Sequence, residues 1–327
     1  MRIVVTGASG FVGRATVRVL REAGHEVVPV VRRAPDDAAA GPELKILPDQ
    51  TEEARWRPVV ANVDAVVHLV AHAHQGERTG SAALAEFRRV NVDITRALAI
   101  ACRQTEVPRM VYLSSAKVFG EGSRCDASGK PEAFRAETPP APEGPYGASK
   151  LEAEQILVRE LNATALSILR PPLIYGPGMR ANLLSLLRAV SRQIPLPFAS
   201  LQNRRSLVHR NTVVNAIGHC LQPASSQPGT RIFTLADLTL STPELVVLMA
   251  AGLGVPARLF AFPEAGLRAL GKISGRGAQV ERLVGSFVID GSAAARDLAL
   301  PTPPTGEVAW REIARIFRAG EDVWRCA

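Results

Sequence analysis

Tyr146 and Lys150 stand four residues apart in Tyr146-Gly147-Ala148-Ser149-Lys150, where the pattern predicts the start of a helix. That spacing puts a phenol and an ammonium on one helical face, where the cation can lower the phenol's pKa. A phenol so placed can pass a proton to or from a hydroxyl or ketone oxygen near neutral pH. Only 3 tyrosines occur in 327 residues (Tyr112, Tyr146 and Tyr175) and lysine is nearly as rare, so chance pairing at this spacing is less expected than in an average chain. Ser114 and Ser115 end a predicted strand, Met110–Ser115. The carboxyl ends of parallel strands face the ligand crevice, so one of these hydroxyls can bond the reacting oxygen.

A second group of residues is built for phosphate. Thr6-Gly7-Ala8-Ser9-Gly10-Phe11-Val12-Gly13 joins a predicted strand, residues 2–6, to a predicted helix that ends at Gly24. Glycine permits the tight turn, lets the backbone approach a pyrophosphate and allows the helix to pack on the strand. The phosphates would sit at the helix N-terminus, against the free N–H groups of the turn formed by Gly7, Ser9, Gly10, Phe11, Val12 and Gly13. The spacing is GxxGxxG rather than GxGxxG. In a dinucleotide fold an acidic residue about 20 residues further on binds the adenosine ribose 2′-OH. Here Val31 stands in that place, followed by Arg32 and Arg33, and no carboxylate comes before Asp36. A guanidinium can neutralise a 2′-phosphate that an acid would repel, which favours NADP(H) over NAD(H).

The elements that must position these groups alternate. Val27–Val31, Ala65–Val70, Met110–Ser115 and Leu166–Leu169 read as strands, and Glu86–Arg103 and Ser149–Leu161 as helices between them. That order predicts an α/β fold, a Rossmann-type doubly wound parallel sheet. After Pro171 the rhythm breaks, then Thr212–Leu221 reads as a helix, Arg231–Leu235 as a returning strand, and Pro243–Gly252 and Val308–Phe317 as helices. The expected division is a dinucleotide-binding domain over 1–175 with a return segment at about 210–238. A smaller, mostly helical and discontinuous substrate domain takes 176–209 and 239–327. The Pro- and Gly-rich stretch Gly122–Pro145 is long enough to cover a site.

Composition narrows the function. Lys and Arg exceed Asp and Glu by 39 − 31 = 8, but the basic residues are scattered and only 5% of residues are aromatic. A nucleic-acid groove wants clustered charge and stacking rings, so no nucleic-acid partner is expected. No stretch approaches 18 apolar residues, so no membrane span is expected. Cys102, Cys125, Cys220 and Cys326 have neither metal nor redox spacing and are read as reduced. With a first segment that enters a strand directly, a cytoplasmic location is expected. His68, His72 and His74 form an HxxxHxH cluster, but no carboxylate or cysteine completes a ligand set, so no metal is expected.

Taken together these motifs resemble the extended short-chain dehydrogenase/reductases, in their nucleotide-sugar epimerase/reductase branch, over nearly the whole chain. TGASGFVG resembles the cofactor turn, and His68-Leu69-Val70-Ala71 the strand over the nicotinamide ribose. Asn91-Val92 is similar to the following helix, Leu113-Ser114-Ser115 to the catalytic serine strand and YGASK to the catalytic pair. The resemblance implies Ser115, Tyr146 and Lys150 as catalytic residues. It places Asp49 at the adenine, Leu69, Val70, Ala71 and Asn91 along the cofactor, and Pro172 and Leu173 at the carboxamide end of the nicotinamide. Asn182-Leu183 and Asn203–His209 resemble segments that hold uridine diphosphate, with Arg205, and more weakly Arg282, suited to its pyrophosphate. The family's dehydratases carry Thr-Asp-Glu where this chain has Ser115-Ala116-Lys117, so dehydration is not expected. Lys117, where many epimerases have Thr, faces the substrate in this reading.

The run SSAKVFGE is similar to enzymes of bacterial surface-polysaccharide synthesis that include UDP-N-acetylquinovosamine-forming 4-ketoreductases. The first expectation is therefore an NADP(H)-dependent reductase of a UDP-4-keto-(2-acetamido-2,6-dideoxy)hexose. The second is a UDP-hexose 4-epimerase with the same triad and tightly held NAD. A third, of another class, is a catalytically silent nucleotide-sensing protein, which would typically have lost the Tyr or the Lys. Helices Glu86–Arg103 and Ser149–Leu161 would pair in a homodimer, as is common in the family.

Overall fold

Along the first strand, residues 2–6, a period of two sends Ile3 and Val5 to one face of the sheet and Val4 to the other, and all three are fully buried. A strand buried on both faces needs helices on both, and the chain supplies them. The computed structural model describes residues 1–33, 43–72, 81–222, 227–275 and 277–320. In chain order the first half runs β1 (Arg2–Thr6), α1 (Phe11–Glu22), β2 (Glu26–Val31), β3 (Lys45–Ile46), α2 (Glu53–Val60), β4 (Ala65–His68), α3 (Ser81–Arg88), α4 (Ile94–Gln104), β5 (Arg109–Leu113), β6 (Ala133–Phe134), α5 (Pro145–Glu160) and β7 (Ala165–Arg170). It continues β8 (Leu173–Tyr175), α6 (Ala181–Ser191), β9 (Arg205–His209), α7 (Arg210–Cys220), β10 (Gly229–Thr234), β11 (Leu238–Leu240), α8 (Thr242–Gly252), α9 (Glu264–Ile273), α10 (Gly277–Val284), β12 (Val288–Ile289), α11 (Ser292–Asp297) and α12 (Gly306–Ala319).

Seven strands form one parallel sheet in the order β10-β7-β5-β4-β1-β2-β3. This is the expected Rossmann-type sheet, and the order reverses beside β1, where such sheets bind ligands. Val4, Trp56, Leu98, Tyr112 and Leu157 fill the core on one face, and Ile3, Val5, Leu20, Val213 and Ile217 that on the other. A third core joins Tyr175, Leu187, Met249, Trp310 and Ile313 beside the small sheet β11-β9-β8. The stretch 122–144 carries one isolated bridge, Cys125 with Pro131, and the two-residue β6, which pairs with β12. Among the described residues no helix is long and apolar enough to cross a membrane.

Three of the differences from the expected elements bear on the site. The single helix predicted over Glu86–Arg103 is two, α3 and α4, joined by a wide π turn at Arg89–Asp93. That turn sets Asn91 in the interior, where its amide bonds the backbone of His72 and the Ser149 hydroxyl. The strand expected to reach Val70 stops at His68, and the Leu69 N–H bonds both the carbonyl and the hydroxyl of Thr6. The strand expected to reach Ser115 stops at Leu113, and Ser115 instead caps a 3-10 turn over Ala116–Phe119.

One buried ion pair fixes α5 against the sheet. Arg170, at the end of β7, donates Nη2 and Nε to the two Glu154 oxygens at 2.7 and 3.1 Å, with both side chains under 5% exposed. Ser114 donates its hydroxyl to the same carboxylate, and the guanidinium lies 5.0 Å from the Phe119 ring centroid. Replacing Arg170 with Met should cost about 3–5 kcal/mol, because it strands a buried carboxylate. A denaturant titration reads this directly; a loss below about 1 kcal/mol would mean that solvent already reaches Glu154.

Candidate active site

The glycine turn is shaped for close approach. Gly7 has φ 66°, and a Cβ there would lie 2.9 Å from the backbone of Leu69 and Val70. A Cβ at Gly13 would lie 2.2 Å from the Gly7 carbonyl oxygen, so β1 and α1 meet with no room for a side chain. Gly10 precedes α1 and offers no capping side chain, which leaves the first N–H groups of the helix open to a ligand. These residues fit a dinucleotide pyrophosphate: the cradle is backbone-lined and sits at the positive end of a helix. Ser9 and Ala71 are exposed, and Phe11, Leu69 and Val70 are half-buried around it. At the far end Arg32 and Arg33 are exposed. Asp49 accepts from the Thr51 hydroxyl and N–H at 2.6 and 2.9 Å, which holds its carboxyl below the usual range, with Arg55 and Arg89 adding to the effect.

The triad comes together through α5. Pro145 occupies the first turn of the helix, where its missing N–H costs nothing. Two residues later a Cβ at Gly147 would lie 2.3 Å from the Lys117 carbonyl oxygen, so only glycine lets the helix rest on the Ser115–Lys117 segment. Burial raises the Tyr146 pKa, and a hydrogen bond with the Ser115 side chain opposes the shift. The fully buried Lys150 Nζ donates to the Leu113 carbonyl at 2.6 Å and lies 4.1 Å from the Tyr112 ring centroid. Burial pushes its pKa down to about 7, and the nearby Glu154 carboxylate pulls the other way. The spacing argument had the Lys150 ammonium lowering the Tyr146 pKa; in the structure that part falls to Ser115, because the ammonium is held toward Leu113 and Tyr112.

Two polar groups hold the surroundings. Ser149 donates to the Tyr146 carbonyl at 2.8 Å and accepts from Asn91 at 2.9 Å, so Asn91 braces the first turn of α5 against the segment after β4. His68, the one polar residue in the run AVVHLV, bonds the Thr6 hydroxyl at 2.7 Å and the Thr95 hydroxyl at 2.9 Å. Its ring stacks on Tyr112 at 5.5 Å, and burial, followed by the Lys150 charge, pushes its pKa down to about 3. The sequence reading placed His68 in the strand over the nicotinamide ribose and weighed it as a metal ligand, and did not foresee these hydroxyl partners. Among the described residues no group of His, Cys, Asp and Glu could hold a metal, and His74 lies outside them.

At the other end of the cleft the charges of Arg205 and Arg282 reach Lys117, and that of Arg282 reaches Arg205, each lowering the affinity of its neighbour for a proton. Lys117 Nζ pairs with Glu121 at 2.6 Å and lies 4.9 Å from the Phe287 ring centroid; burial is the main cause of its lowered pKa. Arg205 Nη1 donates to the Gly285 carbonyl at 2.9 Å, and burial likewise lowers its pKa. Arg282 is exposed on α10. Asn182 is exposed at the start of α6, whereas the Leu183 side chain is packed into the core with Tyr175 and Leu187. Only the backbone of Leu183 can therefore face a ligand. Asn203 is also occupied internally, by Thr242 and the carbonyls of Leu283 and Gly285. Pro172 is half-buried and Leu173 is exposed.

Residues 3–236 match the NAD dependent epimerase/dehydratase family. The chain belongs to that family. A UDP-glucose 4-epimerase of Vibrio cholerae is 34% identical over 322 residues, covering 96% of this chain and 95% of the relative. A 2-alkyl-3-oxoalkanoate reductase of Stenotrophomonas maltophilia (strain K279a) is 33% identical over 190 residues, 54% of this chain and 52% of the relative. Among solved structures, MoeE5 in complex with UDP-glucuronic acid and NAD is 25% identical with a TM-score of 0.75, covering 98% of this chain and 100% of that one. The protein is thus an NAD-dependent enzyme of the extended short-chain dehydrogenase/reductase type, in the nucleotide-sugar branch of the epimerase/dehydratase family.

His68 gives the fold a pH dependence. With a folded pKa of about 3 against an ordinary 6.5, it stays neutral in the folded protein and takes up a proton on unfolding. Its contribution to stability is present above about pH 6.5 and is lost as the pH falls toward 3, by roughly 1.4 kcal/mol per unit. Unfolding free energies measured between pH 7 and 4 should fall more steeply for the wild type than for His68→Gln. Parallel slopes would mean that His68 is protonated in the folded state.

Proposed function

We propose that the protein inverts the configuration at C4 of a UDP-hexose. What carries this reading is a complete Ser115-Tyr146-Lys150 constellation in a chain that matches a UDP-glucose 4-epimerase over 96% of its length. Gly7, Ser9, Gly10, Phe11, Val12 and Gly13 hold the cofactor pyrophosphate. Asp49 lies at the adenine, and Leu69, Val70, Ala71, Lys150 and the segment braced by Asn91 lie along the nicotinamide ribose. Pro172 and Leu173 take the carboxamide end. Bound nicotinamide supplies an acceptor, and then a donor, of hydride at C4.

The chain's own residues manage the proton and the sugar. Tyr146 takes the proton of the C4 hydroxyl on oxidation and returns it on reduction, and Ser115 holds the same oxygen. Lys150, held at the Leu113 carbonyl, binds the nicotinamide ribose. Arg205, Arg282 and Lys117 neutralise the UDP diphosphate, with Asn182 and the Leu183 backbone beside it. Elimination of water from the sugar would need acids after Ser115, where the chain has Ala116 and a Lys117 paired with Glu121.

A second reading is favoured by one observation, the exposed Arg32-Arg33 pair at the end of β2. In it the same triad reduces the C4 ketone of a UDP-4-keto-(2-acetamido-2,6-dideoxy)hexose in surface-polysaccharide synthesis, drawing on NADPH. In both readings residues 1–175 with 210–238 bind the cofactor, 176–209 with 239–327 bind the nucleotide sugar, and the enzyme works in the cytoplasm as a homodimer.

Mass and NMR analysis of products from UDP-glucose and UDP-N-acetylglucosamine should show the C4 epimer, with no net use of nicotinamide. Consumption of NADPH one-for-one with a 4-keto sugar would establish the reductase instead. Tyr146→Phe should lower turnover about 10²–10⁴-fold with cofactor content unchanged; near-wild-type turnover would remove Tyr146 from the chemistry. Under the second reading NADPH binds more tightly than NADH, and Arg32→Ala with Arg33→Ala lowers that preference by about one to two decades. Equal affinities in the wild type, read by fluorescence titration, would count against it.

A further inference from the structure

Beside the cofactor turn, the first turns of α1 and α7 border a second cavity of about 180 Å³. Phe11, Arg14, Arg18, Pro177, Gly178 and Arg210 line it, and no carboxylate does. The α1 residues recur every three or four positions, so the cavity runs along the side of the helix rather than at its tip, where the pyrophosphate cradle lies. Three arginines thus border one small space along the side of α1 and at the first residue of α7, and neither helix has an acid in its first turn.

That placement is unfavourable as it stands. Cations are disfavoured at the positive end of a helix, and Arg14 and Arg18 repel each other at i,i+4. Arg210 donates Nη1 to the Pro177 carbonyl at 2.6 Å and its guanidinium lies 5.4 Å from the Phe11 ring centroid, but its buried Nε has no hydrogen-bond partner. The carboxylates near the cluster are few: Glu22 meets Arg18 at 3.8 Å with both side chains mostly exposed, and Glu312 on α12 acts on Arg210. An exposed pair of that kind contributes little. Burial, and then the charges of Arg18 and Arg14, lower the Arg210 pKa.

We propose that this cavity is an anion site, separate from the cofactor and sugar sites, that binds a phosphoryl group. Its volume is below the roughly 300–1,000 Å³ of sites for larger ligands, which suits a small tetrahedral dianion rather than a nucleotide. Arginine forks around a phosphate give charge-assisted hydrogen bonds, and the N-terminus of α7 adds to the attraction. The same chemistry is offered by inorganic phosphate and by the end of a phosphomonoester.

Calorimetric titration of inorganic phosphate, and separately of glycerol 3-phosphate, into NAD-saturated protein at constant ionic strength tests the site. One saturable site is expected, weakened about tenfold to a hundredfold in Arg14→Ala with Arg18→Ala. Arg210→Lys, which keeps a cation in a half-buried place, should also weaken binding, and circular dichroism melts should confirm that each variant is folded. Tighter binding of glycerol 3-phosphate would assign the site to phosphomonoesters, and tighter or equal binding of phosphate would assign it to the free ion. Absence of saturable binding in the wild type, or unchanged affinity in folded variants, would overturn the proposal.

Discussion

The Arg170–Glu154 pair is the join on which the candidate catalytic groups depend. Glu154 lies one helical turn beyond Lys150 on α5, Arg170 ends β7, and Ser114 follows β5, so one carboxylate ties a helix to the exits of two strands. Buried ion pairs contribute little net stability compared with well-packed apolar residues, since both charges must be desolvated. What this pair supplies is register. Its geometry fixes the rotation of α5 about its own axis, and with it the direction in which Tyr146 and Lys150 point. Gly147 then fixes the distance, because its missing Cβ lets the helix meet the Lys117 carbonyl.

With α5 so placed, electrostatics follow from what surrounds each group. Lys150 is fully enclosed, and burial alone would favour its neutral form. The Leu113 carbonyl, the Tyr112 ring and the Glu154 carboxylate are all arranged to favour the ammonium instead. His68, stacked on the same Tyr112 ring, goes the other way and stays neutral between two threonine hydroxyls. Two basic side chains share one aromatic ring without two positive charges having to share it.

The parts legible in the sequence were those with short-range steric causes. Gly7 and Gly13 are required by contacts within a few residues and with one neighbouring strand, and alternation along β1 is set by the pleat itself. The π turn at Arg89–Asp93 was not legible, because the apolar pattern of α3 and α4 reads through it as one period. What breaks the helix is tertiary: Asn91 has partners 19 and 58 residues away. Leu183 was assigned to substrate through its segment, and the spacing of Leu183, Leu187 and Val190 already marks the side chain as part of a core face. The pairing of Tyr146 with Lys150 was judged from Cα spacing, which takes no account of where a four-carbon stem ends. Its end is a carbonyl 37 residues earlier in the chain.

The arginine excess shows how composition and site chemistry separate once the fold is known. Many of the charges are spent on exposed pairs, such as Arg88 with Glu152, Arg89 with Glu86 and Arg268 with Glu264. Such pairs contribute at most about 1 kcal/mol each and mark no function. Arg170 is the exception in the interior, fully matched by Glu154. Arg205 and Arg210 are different again: both are substantially enclosed, and burial and other cations lower the affinity of each for its proton. Net charge could not distinguish these classes, because all carry the same formal +1. Burial and local compensation distinguish them, and the enclosed cations that lack a matching carboxylate lie where a phosphate would relieve the imbalance.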